Sequence, residues 1–243
     1  MRKVAIFDID GTVFRSSLLI ELVEAMIDEK IFDASIRDEY EEPRLAWLNR
    51  KGDYEAYIMA VVKVFMKNLK GLHYKDFERV SKKVARRLKG RTYVYTRDLI
   101  GNLKKRGYFL LAISQSPKGI LDEFGKALGF DKIYGRFYEL GPSDRFTGGV
   151  TDLHLIGNKA NIVKRAVEKE NLTLKGSIGV GDTEGDVSFL ELVDHPVCFN
   201  PNKKLYRQAK LNGWKVVVER KNVVYEMTLP QKSKNSGKTA VSV

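Results

Sequence analysis

The sequence predicts an α/β protein: a Rossmann-like doubly wound parallel sheet with an all-helical domain inserted after its first strand. Short apolar runs alternate with amphipathic helical segments along residues 90–228, which is typical of a parallel sheet covered by helices on both faces. Residues 17–89 contain no convincing strand pattern and are predicted to form several helices. We therefore expect a core formed by residues 1–15 and 90–228 and a helical cap formed by residues 16–89.

Buried strands are predicted where continuous apolar runs do not alternate with polar residues. Each run ends in a polar or glycine-containing turn, as expected where a strand leaves the sheet. Two further strand-like stretches around Gly141 and Pro142 indicate a hairpin within 132–151. The predicted strands are 4–7, 108–113 and 177–181, with short ones near 196–199 and 215–218.

Helix boundaries follow from capping residues and glycines. Ser116 and Pro117 are a suitable N-cap and first residue for a helix that ends before Gly129. Asn158 is expected to cap a helix over about 159–170. Further helices are predicted over about 93–106 and 186–193, and the cap helices are expected to be separated near Pro43, Gly52, Gly71 and Gly90.

The composition is that of a globular protein, with 43% hydrophobic and 30% charged residues. The N-terminal apolar run is too short for a signal peptide, and no stretch approaches the ~18 apolar residues of a spanning helix, so we expect a cytoplasmic protein. Because Cys198 is the single cysteine, an intrachain disulfide and a cysteine-based zinc site are excluded. The polar composition of 229–243 predicts a disordered tail.

The net charge of +12 is distributed unevenly along the chain. Residues 21–42 are rich in acidic side chains and residues 75–91 are rich in basic ones. This distribution suggests two cap helices that pair across their faces. The remaining positive charge is consistent either with a solvated lysine-rich surface or with an anionic partner, such as an anionic membrane or a nucleic acid.

Polar residues occur at the predicted carboxyl ends of strands, where open parallel sheets bind ligands. Because these ends meet at one edge of the sheet, residues far apart in sequence are expected to converge there. Each residue alone has an ordinary structural explanation as a cap, turn former or surface group, so the joint placement carries the prediction. The residues are Asp8, Asp10, Ser114, Asp182 and Asp186, with Lys159 at a helix start.

This set of side chains is suited to phosphoryl transfer. A phosphate monoester is dianionic, and clustered carboxylates repel both it and one another unless a cation lies among them. Mg²⁺ prefers oxygen ligands and is typically held by one or two carboxylates together with the substrate phosphate. The Lys159 ammonium and the Ser114 hydroxyl would stabilise the phosphoryl oxygens, and aspartate is an established phosphoryl acceptor.

The same residues resemble the motifs of the haloacid dehalogenase superfamily, in the expected order. Asp-Ile-Asp-Gly-Thr at 8–12 resembles the first motif and Leu-Leu-Ala-Ile-Ser at 110–114 the second. Lys-Ala at 159–160 is similar to the third motif, and Gly-Asp-Thr-Glu-Gly-Asp at 181–186 to the fourth. A helical insertion after the first motif resembles the type-1 (C1) cap of subfamily IB, whose members include phosphoserine phosphatases.

The resemblance implies a role for each matching residue. Asp8 would be the nucleophile and a magnesium ligand. Asp10 would bind magnesium through its backbone carbonyl, while its side chain protonates the leaving oxygen and then activates water. Ser114 and Lys159 would contact the phosphoryl group, with Lys159 also orienting Asp8. The remaining implied residues are Thr12 and nearby Arg15 for the phosphate, and Asp182 and Asp186 for the metal.

Two departures from the family pattern indicate a substrate other than phosphoserine. Phosphoserine phosphatases usually carry an acidic residue about nine positions after the nucleophile, where this chain has Ser17. They also usually have paired glycines after the second motif, where this chain has Gln-Ser-Pro at 115–117. We therefore predict a Mg²⁺-dependent phosphatase that hydrolyses a small phosphorylated metabolite through an aspartyl-phosphate intermediate.

Several alternatives remain open from the sequence. The basic segment 75–91 would suit a lipid-phosphate phosphatase at an anionic membrane, and transfer to an acceptor other than water needs the same carboxylates. A non-catalytic nucleic-acid-binding protein is disfavoured, because nucleic-acid binding has no need of clustered aspartates. The oligomeric state is not indicated. Candidate substrate contacts in and beside the cap are Arg15, Arg44, Trp47 and Tyr57.

Overall fold

An eight-stranded sheet runs through the computed structural model of the protein, which describes residues 1–151 and 157–228. The strands from β3 to β7 are parallel in the order β3-β2-β1-β5-β6-β7, and β4 and β8 pair antiparallel at the two edges. The predicted tail lies outside the described residues. The strands are β1 (Arg2–Phe7), β2 (Phe109–Pro117), β3 (Lys132–Leu140), β4 (Phe146–Thr151), β5 (Leu172–Gly181), β6 (His195–Phe199), β7 (Lys215–Arg220) and β8 (Val223–Thr228).

Helices cover both faces of this sheet, which confirms the predicted fold class. Four of them lie between β1 and the core helix α5, where the insertion was expected, and we call α1 to α4 the cap; its predicted boundaries stay a prediction. The helices are α1 (Leu18–Asp28), α2 (Asp38–Leu48), α3 (Tyr54–Leu69), α4 (Tyr74–Leu88), α5 (Val94–Lys105), α6 (Lys118–Leu128), α7 (Lys159–Lys169), α8 (Val187–Leu190) and α9 (Lys203–Asn212).

Strand β1 shows why both faces are covered. Ala5 and Phe7 point into a hydrophobic cluster with α5, α6 and the cap helices, whereas Val4 and Ile6 point into a second cluster with α7, α8 and α9. Successive side chains of a strand face opposite sides of the sheet, so a continuous apolar strand requires cover on each side. The cap shares its core with one sheet face and is therefore packed on it.

Opposite charges pair across the cap, as the sequence predicted. Glu29 of α1 accepts hydrogen bonds from Arg79 and Lys83 of α4, the latter at 2.8 Å. Glu21 pairs with Arg91, at 2.6 Å, just beyond α4. The apolar face of α4 is buried against the core helix α6 and the cap helix α1, so its amphipathic pattern is satisfied inside the protein.

The β3–β4 hairpin connects the sheet to the cap. Gly71 donates its backbone N–H to the carbonyl of Phe146 at 2.8 Å, and the Phe146 N–H donates to the carbonyl of Leu72 at 3.0 Å. The Phe146 ring also lies edge-on to Phe77 of α4. The predicted hairpin is thus confirmed, and it joins the loop between α3 and α4 to the edge of the core.

Some sequence predictions were wrong in detail. Pro43 lies inside α2 and does not end it. Acidic residues in the first turn stabilise this helix by interacting with the positive, N-terminal end of its dipole. Strand β5 starts at Leu172, before the predicted residue 177, and α8 is shorter than the predicted helix. Strand β8 was missed because its residues are all exposed and show no buried pattern. No helix within the described ranges is long and apolar enough to cross a bilayer.

Candidate active site

The turn after β1 brings Asp8 to the carboxyl edge of the sheet. The Asp8 N–H donates to the carbonyl of Val180 on the adjacent strand at 2.9 Å, which holds the start of the turn against β5. Gly11 has a φ of 82°, and a Cβ at this position would overlap the Asp182 carboxylate. A glycine is required here because both the backbone conformation and the close approach exclude a side chain.

A buried ion-pair network joins Asp8, Lys159 and Asp186. The Lys159 ammonium lies 2.6 Å from Asp8 Oδ1 and 2.5 Å from Asp186 Oδ1. All three side chains are buried. Burial lowers the pKa of Lys159, but the two carboxylates outweigh this effect and raise the pKa above its usual range. Lys159 therefore stays protonated and holds Asp8 in place.

Asp186 organises the loop that carries Asp182. Its second oxygen, Oδ2, accepts the backbone N–H groups of Asp182 at 3.0 Å and Thr183 at 3.1 Å. The Thr183 side chain completes a capping box with Asp186 over the short 3₁₀ turn Glu184–Asp186. Both Asp186 oxygens are thus engaged, which suits a residue that positions its neighbours.

Asp10 lies on the cap side of this network. Its Oδ1 accepts the backbone N–H of Leu18, the first residue of α1, at 2.6 Å, and its Oδ2 accepts the Ser114 hydroxyl at 2.5 Å. The Ser114 oxygen in turn accepts the N–H of Ser116 at 2.9 Å. Burial raises the pKa of Asp10, although these hydrogen bonds oppose the shift. A carboxyl group with a raised pKa is suited to donate a proton at neutral pH.

A divalent cation fits between Asp8, Asp182 and Asp186. One carboxylate oxygen from each lies within 4.8 Å of the others. Asp8 Oδ2 is buried and has no hydrogen-bond partner in the described part of the chain. Burial raises the pKa of Asp8 to about 7, with Asp186 and Asp10 adding repulsion, and burial and Asp8 raise that of Asp182. An oxygen-preferring cation such as Mg²⁺ would relieve this repulsion.

The structure places the other predicted site residues as follows. Thr12 is buried and donates its hydroxyl to Asp182 Oδ1 at 3.2 Å. Arg15 is exposed, and its guanidinium lies 5.6 Å from the ring centre of Tyr93, so it is not brought into the acidic cluster. The catalytic, phosphate-binding and metal-binding roles of all these residues stay predictions.

Among the candidate cap contacts, none has its charged or ring group in the acidic cluster. Arg44 pairs with Glu41 on its own helix at 2.6 Å. Tyr57 is buried, and Trp47 packs edge-on against Tyr54, with ring centres 5.4 Å apart. These contacts make Arg44, Trp47 and Tyr57 parts of the cap packing.

Tyr54 of α3, which the sequence analysis did not single out, faces the site. Burial raises the pKa of its phenol, and the Asp10 and Asp182 carboxylates raise it further, while a hydrogen bond with Ser17 opposes the shift. Its position as the first residue of α3, directly after the N-cap Asp53, was the available signal. A side chain in the first turn points out of the helix end, here toward the core.

An ion-pair relay also links cap and core beside Tyr54. Lys204 of α9 lies 3.0 Å from Glu55 of α3 and 2.5 Å from Glu184. Glu184 also accepts a hydrogen bond from Asn202 at 2.5 Å. Because Glu184 belongs to the loop between Asp182 and Asp186, this relay connects the cap to the acidic cluster.

A comparison with known protein families identifies the chain. The model of the haloacid dehalogenase-like hydrolases matches residues 5–191, which include every acidic residue of the site. The chain belongs to the haloacid dehalogenase-like hydrolase family. The predicted family is thereby confirmed.

Relatives within the family include named phosphatases. The chain is 26% identical over 206 residues to a phosphoserine phosphatase of Archaeoglobus fulgidus, an alignment that covers 84% of this chain and 54% of the relative. It is 23% identical over 225 residues to a histidinol-phosphatase of Neisseria meningitidis, which covers 89% and 99% of the two chains. The chain thus spans about half the length of the Archaeoglobus protein.

A solved structure shares the fold. A phosphoserine phosphatase determined as an analogue of its phospho-aspartyl intermediate superimposes with a TM-score of 0.61 and 22% identity. The superposition covers 91% of this chain and 95% of the other. This similarity supports the assigned architecture of sheet and helices.

Proposed function

We propose that this protein is a Mg²⁺-dependent phosphatase that hydrolyses a small phosphomonoester through an aspartyl-phosphate intermediate on Asp8. The proposal rests on a difference between the two oxygens of the Asp8 carboxylate. Lys159 holds its Oδ1, while its Oδ2 is buried without a partner in the described residues. A fixed carboxylate with one free oxygen is suited to nucleophilic attack.

The chain's own groups account for both steps of the reaction. In the first, the Asp8 carboxylate forms a bond to phosphorus, the bond to the leaving oxygen breaks, and Asp10 donates its proton to that oxygen. In the second, Asp10 accepts a proton from water, whose oxygen bonds to phosphorus as orthophosphate leaves and the Asp8 carboxylate is restored. Throughout, Lys159 supplies positive charge beside Asp8.

Asp8 and Asp182 are the side chains best placed to hold Mg²⁺, with Asp186 orienting Asp182. When bound, the cation would neutralise carboxylate repulsion and act as a Lewis acid on the phosphoryl oxygens. The implied contribution of the Asp10 backbone carbonyl belongs to the same proposal. We therefore propose Asp8, Asp10 and Asp182 as metal ligands, and Asp186 as the residue that positions Asp182.

The substrate is proposed to differ from phosphoserine. Ser17, which replaces the acidic residue expected at this position, is buried and engages Tyr54 rather than offering a negative charge to an amino group. The names of the two relatives also differ, phosphoserine phosphatase and histidinol-phosphatase. We therefore expect Tyr54 and Ser17 to line the pocket for the leaving group.

The membrane and nucleic-acid alternatives receive little support from the cap. The apolar face of α4 is buried, and Glu29 and Glu21 neutralise part of its basic surface. A lipid surface would thus meet only the remaining exposed charges. Transfer to an acceptor other than water uses the same groups and remains a variant of the proposed chemistry.

The direct test is hydrolysis of p-nitrophenyl phosphate with Mg²⁺, with EDTA and by Asp8→Asn. We expect metal-dependent activity that falls by about 10⁴-fold or more in the variant, because the nucleophile is lost. The matched control Asp98→Asn, at an exposed site on α5, should keep full activity. Turnover by Asp8→Asn at the wild-type rate would refute the mechanism. A panel with phosphoserine, histidinol phosphate and glycerol 3-phosphate would then begin to define the substrate.

A further inference from the structure

Arg136 of β3 lies beside the end of β2, the strand that carries Ser114. It pairs in register with Pro117 at the carboxyl end of the parallel strand β2. The preceding residue, Gly135, allows this close approach, since a Cβ there would lie 3.0 Å from the carbonyl oxygen of Ser116. Arg136 is thus placed at the same edge of the sheet as the phosphate-binding groups, one strand further out.

The Arg136 guanidinium is only partly satisfied by the protein. Its Nη2 donates to the side-chain oxygen of Gln115, the residue that directly follows Ser114. Its Nε is buried, and neither 1–151 nor 157–228 provides an acceptor for it. A buried N–H without a partner is costly and uncommon in native proteins, so its presence calls for an explanation.

Arg136 also lacks a carboxylate partner within those ranges, unlike the arginines that the sequence suggested for substrate binding. Arg44 is paired with Glu41, and Arg15 lies over the Tyr93 ring. A half-buried guanidinium that keeps both its charge and a free Nε–H retains the forked donor pattern that matches carboxylates and phosphates.

We propose that Arg136 binds a second anionic group on the substrate, either a carboxylate or a second phosphate, while the first phosphate lies over Asp8. The inference rests on the proposed function and narrows its substrate class to phosphomonoesters with a second negative charge. Gln115 positions the guanidinium, and the part of the guanidinium that is not buried contacts the substrate anion. Arg136 is thus a specificity-determining residue.

The test compares three esters of one chain length: 3-hydroxypropyl phosphate, 3-phosphonooxypropanoate and propane-1,3-diyl bisphosphate. We expect wild type to prefer one or both of the esters with an anionic tail, and the better of the two identifies the group as carboxylate or phosphate. In Arg136→Gln the kcat/KM for that ester should fall by about 10- to 100-fold, as expected for losing a charged hydrogen bond. Hydrolysis of p-nitrophenyl phosphate, which has no second anion, should fall far less than hydrolysis of that ester.

Two further variants distinguish recognition from folding. Arg136→Lys keeps the positive charge but loses the forked arrangement of N–H donors, so it should recover only part of the preference for the ester with the anionic tail. Arg97→Gln, which removes an exposed arginine paired with Asp98 on α5, should leave the preference intact. If wild type shows no preference, or if Arg136→Gln and Arg136→Lys lower activity equally on all substrates, Arg136 is not a specificity residue.

Binding separates this inference from the proposed function. The affinities of 3-phosphonopropanoate, propane-1,3-diylbisphosphonate and propylphosphonate, which cannot be hydrolysed, are measured by calorimetry with Mg²⁺. Tighter binding of either of the first two compounds than of propylphosphonate, lost in Arg136→Gln, supports the inference, even if no ester is turned over. Equal affinities in wild type overturn it, even if p-nitrophenyl phosphate is hydrolysed and the phosphatase mechanism stands.

Discussion

The carboxyl edge of the core and the surface of the cap use charge in opposite ways. At the core edge, Asp8, Lys159 and Asp186 are buried and bonded to one another. In the cap, pairs such as Glu29 with Lys83 lie where at least one partner is exposed to water. Each buried charge needs an opposite charge in contact with it, because removing a charge from water is costly. A surface ion pair contributes little to stability, so its loss has a small effect.

This difference indicates that the core and the cap have different roles. The core holds Lys159 and the acidic cluster at fixed positions, and the cap contributes Tyr54 and the Glu55–Lys204 contact beside them. Substitutions at the core edge should therefore affect stability and chemistry together. Substitutions in the cap should mainly affect substrate affinity or have little effect. The following experiments test that contrast.

The largest effect is expected for Lys159→Met. Removing this ammonium leaves the Asp8 and Asp186 carboxylates buried without their cation, which should lower the free energy of unfolding by about 3 to 5 kcal/mol. Lys83→Met removes a surface pair with Glu29 and should cost about 0 to 1 kcal/mol. Urea denaturation in EDTA measures the free energy of unfolding of both variants. An equal loss in the two variants would contradict the contrast between core and cap.

The metal-free protein should lose stability as pH rises from 5 to 7. Burial raises the pKa of Asp8 to about 7, so the folded state keeps a proton that the unfolded chain releases near its ordinary value of 3.8. The resulting loss, complete above the folded pKa, is at most about 4 kcal/mol. The raised pKa of Asp182 acts in the same direction.

Thermal unfolding from pH 5 to 8, with EDTA or Mg²⁺, measures this dependence. Mg²⁺ should flatten the profile, because the cation stabilises the ionised carboxylates. Asp8→Asn should also reduce the slope in EDTA. A melting temperature that rises between pH 5 and 7 without metal would contradict the raised pKa of Asp8.

A smaller effect is expected at the cap face of the site. Tyr54→Phe removes the hydroxyl that engages Ser17 and should lower kcat/KM by about 3- to 10-fold, the value of one hydrogen bond. Tyr40→Phe is the matched control, because the Tyr40 hydroxyl donates to Glu24 at 2.5 Å within the cap. It should lower stability without changing kcat/KM. If Tyr54→Phe lowered stability without changing kcat/KM, Tyr54 would lie outside the site.

The smallest effect is expected for the link between cap and core. Lys204→Ala breaks the contacts with Glu55 and Glu184 and should lower the melting temperature only slightly, because exposed ion pairs contribute little to stability. Its effect on kcat/KM should shrink at high salt, since exposed pairs are screened. Lys215→Ala, which breaks the pair with Glu226 at the far sheet edge, should leave kcat/KM unchanged at any salt concentration.

Much of the core edge could be predicted from the sequence. Asp8, Ser114 and Asp182 follow strands whose apolar runs are unmistakable, and parallel strands bring their carboxyl ends together. Strand β8 could not be predicted in this way, because exposure on both faces leaves no periodic signal. Pro43 also misled, because the acidic first turn of α2 favours a helix that continues through this residue despite its helix-breaking preference.

By itself, the sequence determined the fold class and the identity of the acidic residues, because both depend on local patterns of apolar runs and turns. The tertiary structure alone decided which oxygen of Asp8 is free, that Tyr54 faces the site, and that Arg136 lies beside Gln115 with an unpaired N–H. These features arise from contacts between segments distant in the chain. Such contacts depend on strand register and side-chain direction, which sequence periodicity does not specify.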